Sequence, residues 1–87
     1  ASLREADLSG ANLEYANLER TNLSKASLGG TNLVRARLLR ASLFEADLRP
    51  TSDQVTDLGR AILSDADLSY ANLSGAILYQ ANLEGAK

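Results

Sequence analysis

The sequence predicts an all-β solenoid, in which the chain winds into coils that stack through parallel backbone pairing. Leucine recurs every five residues from Leu3 to Leu83, at sixteen of seventeen positions, and Asp53 is the one departure. The eighteen slots that recur every five residues from Ala1 to Ala86 hold fourteen alanines and four threonines. Because a fixed short period is the signature of a repeat architecture, it decides the fold class before the propensity of any single residue is considered.

We number each pentapeptide so that alanine or threonine is position 1 and leucine is position 3. On a helix, at about 100° per residue, leucines five residues apart scatter around the cylinder and form no apolar stripe. In an extended segment, positions 1 and 3 point to one side and position 2 points to the other. The pattern therefore predicts a narrow interior of small and large side chains, with position 2 outside and a turn at positions 4 and 5. Backbone groups must then pair with the coils above and below.

These repeats, which read ADLSY, ANLSG and AILYQ over residues 66–80, resemble the A(D/N)LXX motif of the pentapeptide repeat family. The resemblance covers the 87 residues apart from the stretch around Asp53. It implies a right-handed quadrilateral parallel β-helix with about four coils of four pentapeptides, roughly 20 Å tall at about 4.8 Å per coil. The family is abundant in cyanobacteria, and the resemblance hints at such an origin.

One domain is expected over residues 1–87, with a loop or bulge at 50–56. Pro50 occupies a corner slot, and residues 51–55 read TSDQV, with Asp53 in the leucine slot. An unpaired carboxylate in a leucine-lined interior costs several kcal/mol. We therefore expect the loop to carry Asp53 to solvent, and Val55 to return towards the core. Because the insertion keeps the count of five, the sequence leaves open whether it completes a coil side or loops out.

If residues 51–55 complete a side, residues twenty apart stack in columns. Arg20, Arg40 and Arg60 then share one corner column, with Arg35 and Arg37 close to it. Stacked guanidinium groups repel one another unless they fan out or meet anions, so this column is a candidate strip for an acidic partner. The alternative is a set of solvated arginines that nearby carboxylates offset.

Two further outward sets have a functional and a structural interpretation. Asp7, Asp47 and Asp67 fall in one column on the same assumption, either as a mimic of phosphate spacing or because Asp bonds the backbone in tight turns. Phe44, near Ile62, and Tyr79, near Ile77, are candidate partner contacts. The alternative for these side chains is scattered surface packing.

The composition argues against an enzyme. The sequence has no His and no Cys, so it has no imidazole base, thiolate nucleophile or nitrogen and sulfur metal site. The GxGxxG phosphate motif is missing, and we expect no cofactor and no catalytic residue. A net charge of −2 gives no ground for direct nucleic-acid binding, and no apolar run is long enough to span a bilayer.

The sequence thus predicts a non-catalytic structural or protein–protein interaction module, built as a rigid rod, whose protein partner is unknown. The first alternative is a DNA-mimicking binder or protector of a type II topoisomerase such as gyrase, as some members of the resembled family are. The second is a passive spacer domain of a larger protein. Unpaired strand edges at the coil ends also predict end-to-end self-association. A cytoplasmic location is favoured, with the periplasm or thylakoid lumen as alternatives if a targeting segment was removed.

Overall fold

The computed structural model describes residues 1–87. It contains no helix, and no strand is longer than one bridging residue. Each side of a coil contributes its position 2 to a parallel bridge with the next coil, as Ser2 does with Asn22 and Asn17 with Arg37. Because these bridges join residues twenty apart, one coil consists of four pentapeptide sides.

The four sides of successive coils stack into four faces, which we number in chain order. Face 1 contains residues 1–5, 21–25, 41–45 and 66–70, and face 2 contains 6–10, 26–30, 46–50 and 71–75. Face 3 contains residues 11–15, 31–35, 56–60 and 76–80, and face 4 contains 16–20, 36–40, 61–65 and 81–85. A column is the set of residues that occupy one position of one face in successive coils.

Hydrogen bonds between coils satisfy the backbone at three positions of each pentapeptide. The position 3 N–H donates to the position 2 carbonyl of the next coil, as Leu3 does to Asn22 at 2.7 Å. The position 5 N–H donates to the next position 4 carbonyl, as Glu5 does to Ser24 at 2.9 Å. The position 2 N–H donates back to the previous coil, as Asn22 does to Ala1 at 3.0 Å. These bonds replace those that a helix or a long strand makes.

The core is a linear stack of leucines beside alanines and threonines. In the middle coils, Leu23, Leu33, Leu43 and Leu63 are fully buried. Apart from Leu18, which is buried, the leucines of the end coils are half-buried or exposed, and Leu83 is 42% exposed, because no coil lies beyond them. The core depth of a side chain therefore depends on its coil, although the sequence repeat is the same throughout.

Each corner is a turn that places position 5 in the left-handed backbone region. The position 1 N–H donates to the carbonyl three residues earlier, as Ala6 does to Leu3 at 3.0 Å. Position 5 has φ between 56° and 64° at eleven residues other than glycine, and φ is also positive at four glycines. This combination defines a type II turn, which favours glycine at that position. A left-handed residue other than glycine costs roughly 1–2 kcal/mol, so these corners are strained.

Asn and Asp at position 2 have a structural role in these corners. Their side-chain Oδ1 accepts a hydrogen bond of 2.9–3.1 Å from the position 4 N–H, which has no partner in the next coil. The ten residues that do so are Asp7, Asn12, Asn17, Asn22, Asn32, Asp47, Asp57, Asp67, Asn72 and Asn82. This bond gives the physical reason for Asp or Asn in the repeat.

Residues 51–55 lie outside the four faces. The bridges change from twenty to twenty-five residues at Asn32, which pairs with Asp57, and return to twenty where Asp57 pairs with Ile77. Pro50 occupies the corner position that has positive φ elsewhere, and its ring fixes φ near −65°. The type II turn cannot form there, so the chain leaves the coil at Pro50 and re-enters at Thr56.

The loop is tied to itself and to the coil. The backbone N–H of Thr51 donates to the carbonyl of Gln54 at 2.9 Å. At the point of re-entry, the buried Thr56 Oγ1 accepts a hydrogen bond from the backbone N–H of Gly30 at 2.8 Å. It also donates to the Arg49 carbonyl at 3.3 Å. At other corners the position 5 N–H donates to a carbonyl of the next coil. For Gly30, the Thr56 hydroxyl oxygen replaces that acceptor.

The structure corrects two expectations about shape and about Val55. Asp53 is exposed, but Val55 is 52% exposed as well, so its expected return to the core is wrong. The loop instead holds it over the surface. The principal extents of the molecule are 31, 26 and 21 Å, so four coils make a block and not an elongated rod. The chain forms no long apolar helix of the kind that crosses a membrane.

Candidate interaction surface

The expected column of three arginines is wrong, because the loop shifts every later repeat by one side. Arg20 and Arg40 do share a column at the corner of face 4, where the N–H of Arg20 bonds Leu39 and that of Arg40 bonds Ser64. Asp65 follows them in that column. Arg60 lies instead at the corner of face 3, where the N–H of Arg35 bonds the Gly59 carbonyl. The five arginines thus form no single strip, and their binding of an acidic partner stays a prediction.

The corner column of face 3 consists of Tyr15, Arg35, Arg60 and Gln80. Arg35 turns towards one end, donates to Tyr15 Oη at 2.8 Å and lies 5.7 Å from its ring centroid. Arg60 turns towards the other end, donates to Gln80 Oε1 at 2.9 Å and lies 5.9 Å from the Tyr79 ring centroid. The two guanidinium groups fan out in opposite directions, which reduces their repulsion and adds cation–π contacts.

The other predicted site residues lie apart from this column. Arg37, on face 4, makes an ion pair of 2.6 Å with Glu19. Phe44 is half-buried on face 1, and its ring meets that of Tyr70 edge to face at a centroid distance of 5.8 Å. The expected neighbour Ile62 pairs with Arg37 on face 4, so the proposed Phe44 contact with Ile62 is wrong.

The expected acidic column is also divided. Asp7 and Asp47 share a column of face 2 with Ser27 between them, whereas Asp67 pairs with Ser42 on face 1. The three-aspartate column that was interpreted as a mimic of phosphate spacing is therefore not present.

Hydrogen bonds to these three carboxylates lower the pKa of each one. The backbone N–H of Ser9 holds the pKa of Asp7 below its usual value. The Arg49 side chain lowers the pKa of Asp47, which it contacts through two guanidinium bonds of 2.9 and 2.8 Å. The hydroxyl of Ser69 and then its N–H lower the pKa of Asp67. These carboxylates are engaged with the turns that they cap.

The loop and face 3 enclose an open groove of about 480 Å³. One wall is the loop, through Asp53, Gln54 and Val55, and the floor is the coil, through Asn32 and Asp57 among others. A second hollow of about 380 Å³ lies beside it on the same face. Its lining is more apolar and includes Val34, Gly59, Ile77 and Tyr79, together with Arg60 of the corner column of face 3. Asp57 lines both cavities, so they form one continuous surface.

Small residues allow the loop to lie against the coil. A β-carbon at Gly29 would lie 2.7 Å from the Arg49 carbonyl oxygen. A β-carbon at Gly30 would lie 2.9 Å from Thr51 Oγ1, and one at Gly75 would lie 3.0 Å from Pro50 Cδ. Gly29 and Gly30 thus leave the space in which Arg49 and Thr51 approach the coil.

A comparison with family models decides the family. A model described as pentapeptide repeats matches eight copies, over residues 1–38, 21–49 and 56–87. The chain belongs to the pentapeptide repeat family. The residues that this pentapeptide repeat match omits, 50–55, are the loop and the proline at which it begins.

Solved structures of pentapeptide repeat proteins superpose closely on the chain. HetL, a pentapeptide repeat protein involved in heterocyst differentiation regulation from the cyanobacterium Nostoc sp. strain PCC 7120, is 60% identical with a TM-score of 0.98. That match covers 99% of this chain and 36% of HetL. Rfr23, from the cyanobacterium Cyanothece 51142, is 34% identical with a TM-score of 0.86, over 99% of this chain and 53% of Rfr23. This pentapeptide repeat chain thus spans about a third and about half of their lengths. None of the curated proteins matches it in a sequence comparison.

Sequence reasoning named Arg35, Arg60 and Tyr79 but missed the groove beside them. The sequence places Asp53 in solvent and assigns no binding role to Asp57. The signal that was available is Pro50, because proline at position 5 cannot adopt the positive φ that the corner of a pentapeptide repeat requires. The corner after Leu48 therefore had to open, next to face 3.

Proposed function

We propose that this chain is a non-catalytic protein-interaction module, built as a right-handed four-sided β-helix, that serves regulation as HetL does. The support for a regulatory role is the 60% identity with HetL over nearly the whole of this chain. The support for recognition of a partner protein comes from the outward side chains. The four faces have the same backbone arrangement, so a partner can distinguish them only by these side chains.

The observation that carries the proposal is the concentration of exposed apolar side chains at one face. Seven large apolar side chains are exposed, and four of them, Tyr15, Val55, Ile77 and Tyr79, lie on face 3 or on the loop beside it. Tyr15 and Tyr79 are 61% and 63% exposed. Apolar side chains that cluster at one exposed site, next to charged ones, are typical of protein-binding surfaces. Hydrogen bonds between coils hold this surface rigid, which lowers the entropic cost of binding.

A chimera of HetL tests the proposal. This chain replaces the matching segment of HetL, both proteins are expressed in Nostoc from the same promoter, and the fraction of cells that become heterocysts is counted against an empty vector. We expect the chimera to change that fraction as HetL does. A folded chimera without this effect would show that the chain does not serve the same regulation.

Replacement of one face at a time distinguishes an interaction module from a passive spacer. In four variants of the chimera, the outward side chains of one face become serine or asparagine while positions 1 and 3 stay unchanged. An interaction module loses its effect when the recognised face is replaced and keeps it with the others. If all four variants retain the effect at equal protein levels, the chain is a spacer.

A further inference from the structure

Face 3 combines an acidic groove and an apolar hollow side by side, and they share Asp57. We infer that this combined surface binds a segment of a partner protein that presents a lysine or arginine next to a bulky apolar side chain. The cationic group enters the groove under the loop, and the apolar side chain enters the hollow. The inference rests on the proposed function and names the surface and the chemistry of its partner.

The groove is acidic, and nothing within the chain neutralises it. Its two charged lining residues are Asp53 and Asp57, and no lysine or arginine lines it. None of the four ion pairs in the structure involves either carboxylate. Asp57 Oδ1 accepts the Gly59 N–H at 2.9 Å, and its second oxygen has no hydrogen-bond partner. Two unneutralised carboxylates at the wall and floor of one concave site attract a cation.

The hollow beside the groove suits an apolar group. Val34, Ile77 and Tyr79 line it, and the absence of a side chain at Gly59 leaves its floor open. Arg60 is also in the lining, but its guanidinium bonds Gln80 and stacks on the Tyr79 ring. The arginine thus extends the apolar wall through its aliphatic part, and its guanidinium makes no ion pair with Asp57.

The loop that forms the groove wall is held in place before any partner binds. Thr51 and Gln54 exchange hydrogen bonds across the loop, with the Gln54 N–H donating to Thr51 Oγ1 at 3.1 Å. Thr56 ties the end of the loop to Gly30 through a hydrogen bond. Gly29 and Gly30 have no side chains, so the loop lies directly on the coil. A preformed wall reduces the ordering cost of binding, so a short extended segment suffices as ligand.

Peptide titration of the 87-residue chain, followed by amide chemical shifts, tests the inference. The probes are acetyl-Gly-Arg-Leu-Gly-amide and the same peptide with glutamate in place of arginine. We expect the arginine peptide to shift residues 30–32, 53–57, 59 and 77–79, and the glutamate peptide to leave them unchanged. Added salt should weaken the binding, because the attraction is between exposed charges.

Charge-removing variants supply the matched comparison. Asp53→Asn with Asp57→Asn should raise the Kd of the arginine peptide about fivefold or more. Asparagine keeps the cap on the Gly59 N–H, as Asn32 does for Val34 in the same column, so the coil stays folded. Asp7→Asn with Asp47→Asn, which removes the same two charges from face 2, should leave the Kd unchanged. Equal binding by both peptides, an unchanged Kd in the Asp53 and Asp57 double variant, or shifts confined to another face would each overturn the inference.

The HetL chimera separates this surface from the proposed function. If the chimera regulates and the double variant still does, and the peptide does not bind, the surface is wrong while the function stands. If the chimera has no effect but the peptide binds through Asp53 and Asp57, the regulatory function fails and the surface stands. Self-association of the chain that disappears in the double variant would show that the occupant is a second copy and overturn the assignment to a partner protein.

Discussion

Gly29 lies directly against the carbonyl oxygen of Arg49, so that a β-carbon on Gly29 would approach this oxygen to 2.7 Å. Gly29 has no positive φ, so glycine is needed there for space and not for backbone conformation. The chain leaves the coil just after Arg49, and this contact therefore fixes where the loop begins. The contact between Gly29 and Arg49 therefore joins one coil to the start of the loop in the next coil, twenty residues later.

Gly29→Ala should destabilise the fold by about 1–3 kcal/mol, since the backbone of the loop or the coil must shift to admit the methyl group. Denaturant unfolding measures the change. Gly59→Ala is the control, because Gly59 occupies the same position and a β-carbon there meets a flexible carboxylate oxygen at 3.1 Å. An equal cost for both variants would argue against the tight seat of the loop.

Removing residues 51–55 together with Pro50→Gly should leave a folded chain with uniform spacing of twenty residues. Glycine adopts the positive φ of the corner, so the midpoint of thermal unfolding should equal or exceed that of the parent. Removal of residues 51–55 with Pro50 retained should cost more than about 1 kcal/mol, because proline cannot adopt that conformation. If the proline-containing variant is the more stable of the two, Pro50 is not the cause of the loop.

Arg40→Gly should raise stability by up to about 1 kcal/mol. Arg40 has φ of 59°, and glycine removes the left-handed strain at the cost of greater freedom in the unfolded chain. Arg40 makes none of the ion pairs in the structure, so little contact energy is lost. Arg35→Gly is the comparison, and it should stabilise less because it also removes the bond to Tyr15. Thermal unfolding of both variants decides the order.

The unfolding free energy should fall as the pH drops below about 4, the ordinary pKa of aspartate in unfolded chains. The pKa values of Asp7, Asp47 and Asp67 are lowered in the folded state, so unfolding takes up protons in this range. Their contribution is present above the unfolded pKa and is lost as the pH falls through the folded values.

Denaturant unfolding at a series of pH values measures this dependence. The triple variant with Asp→Asn at residues 7, 47 and 67 keeps the hydrogen bonds that cap the turns. Its unfolding free energy should fall less at acidic pH than that of the parent. A triple variant with the full acid loss of the parent would contradict the assignment.

Leu33→Lys should unfold the chain, at a cost above about 4 kcal/mol, because Leu33 is fully buried in the middle of the stack. Leu83→Lys should cost about 1 kcal/mol, since Leu83 is 42% exposed at the end of the stack. Circular dichroism and thermal melts compare the two. Similar losses of stability in the two variants would mean that the end of the stack is buried as deeply as its middle.

The inward pattern could be read from the sequence because burial repeats with the pentapeptide. Leu23 and Thr31 are predicted inside by their slots, and they are inside. The strained corners were not predicted, since Arg20, Tyr70 and the other position 5 residues that are not glycine have no sequence property that favours positive φ. Only the turn between two buried positions imposes it on them.

The outward columns were partly wrong for one physical reason. The inserted loop has five residues, so it leaves the phase of the repeat unchanged while it moves Arg60 to face 3 and Asp67 to face 1. Arg20 with Arg40, which both precede the loop, were paired correctly. Arg60, Ile62 and Asp67, which follow the loop, were assigned to the wrong neighbours among the residues that precede it.

The sequence by itself determined which side chains face the interior and to which family the repeats belong. Both depend on the five-residue pattern, which recurs in every repeat. The tertiary structure decided which outward residues meet, because that depends on the number of residues between successive coils. A proline that cannot turn a corner changes this number from twenty to twenty-five, and it opens the groove in which Asp53 and Asp57 come together.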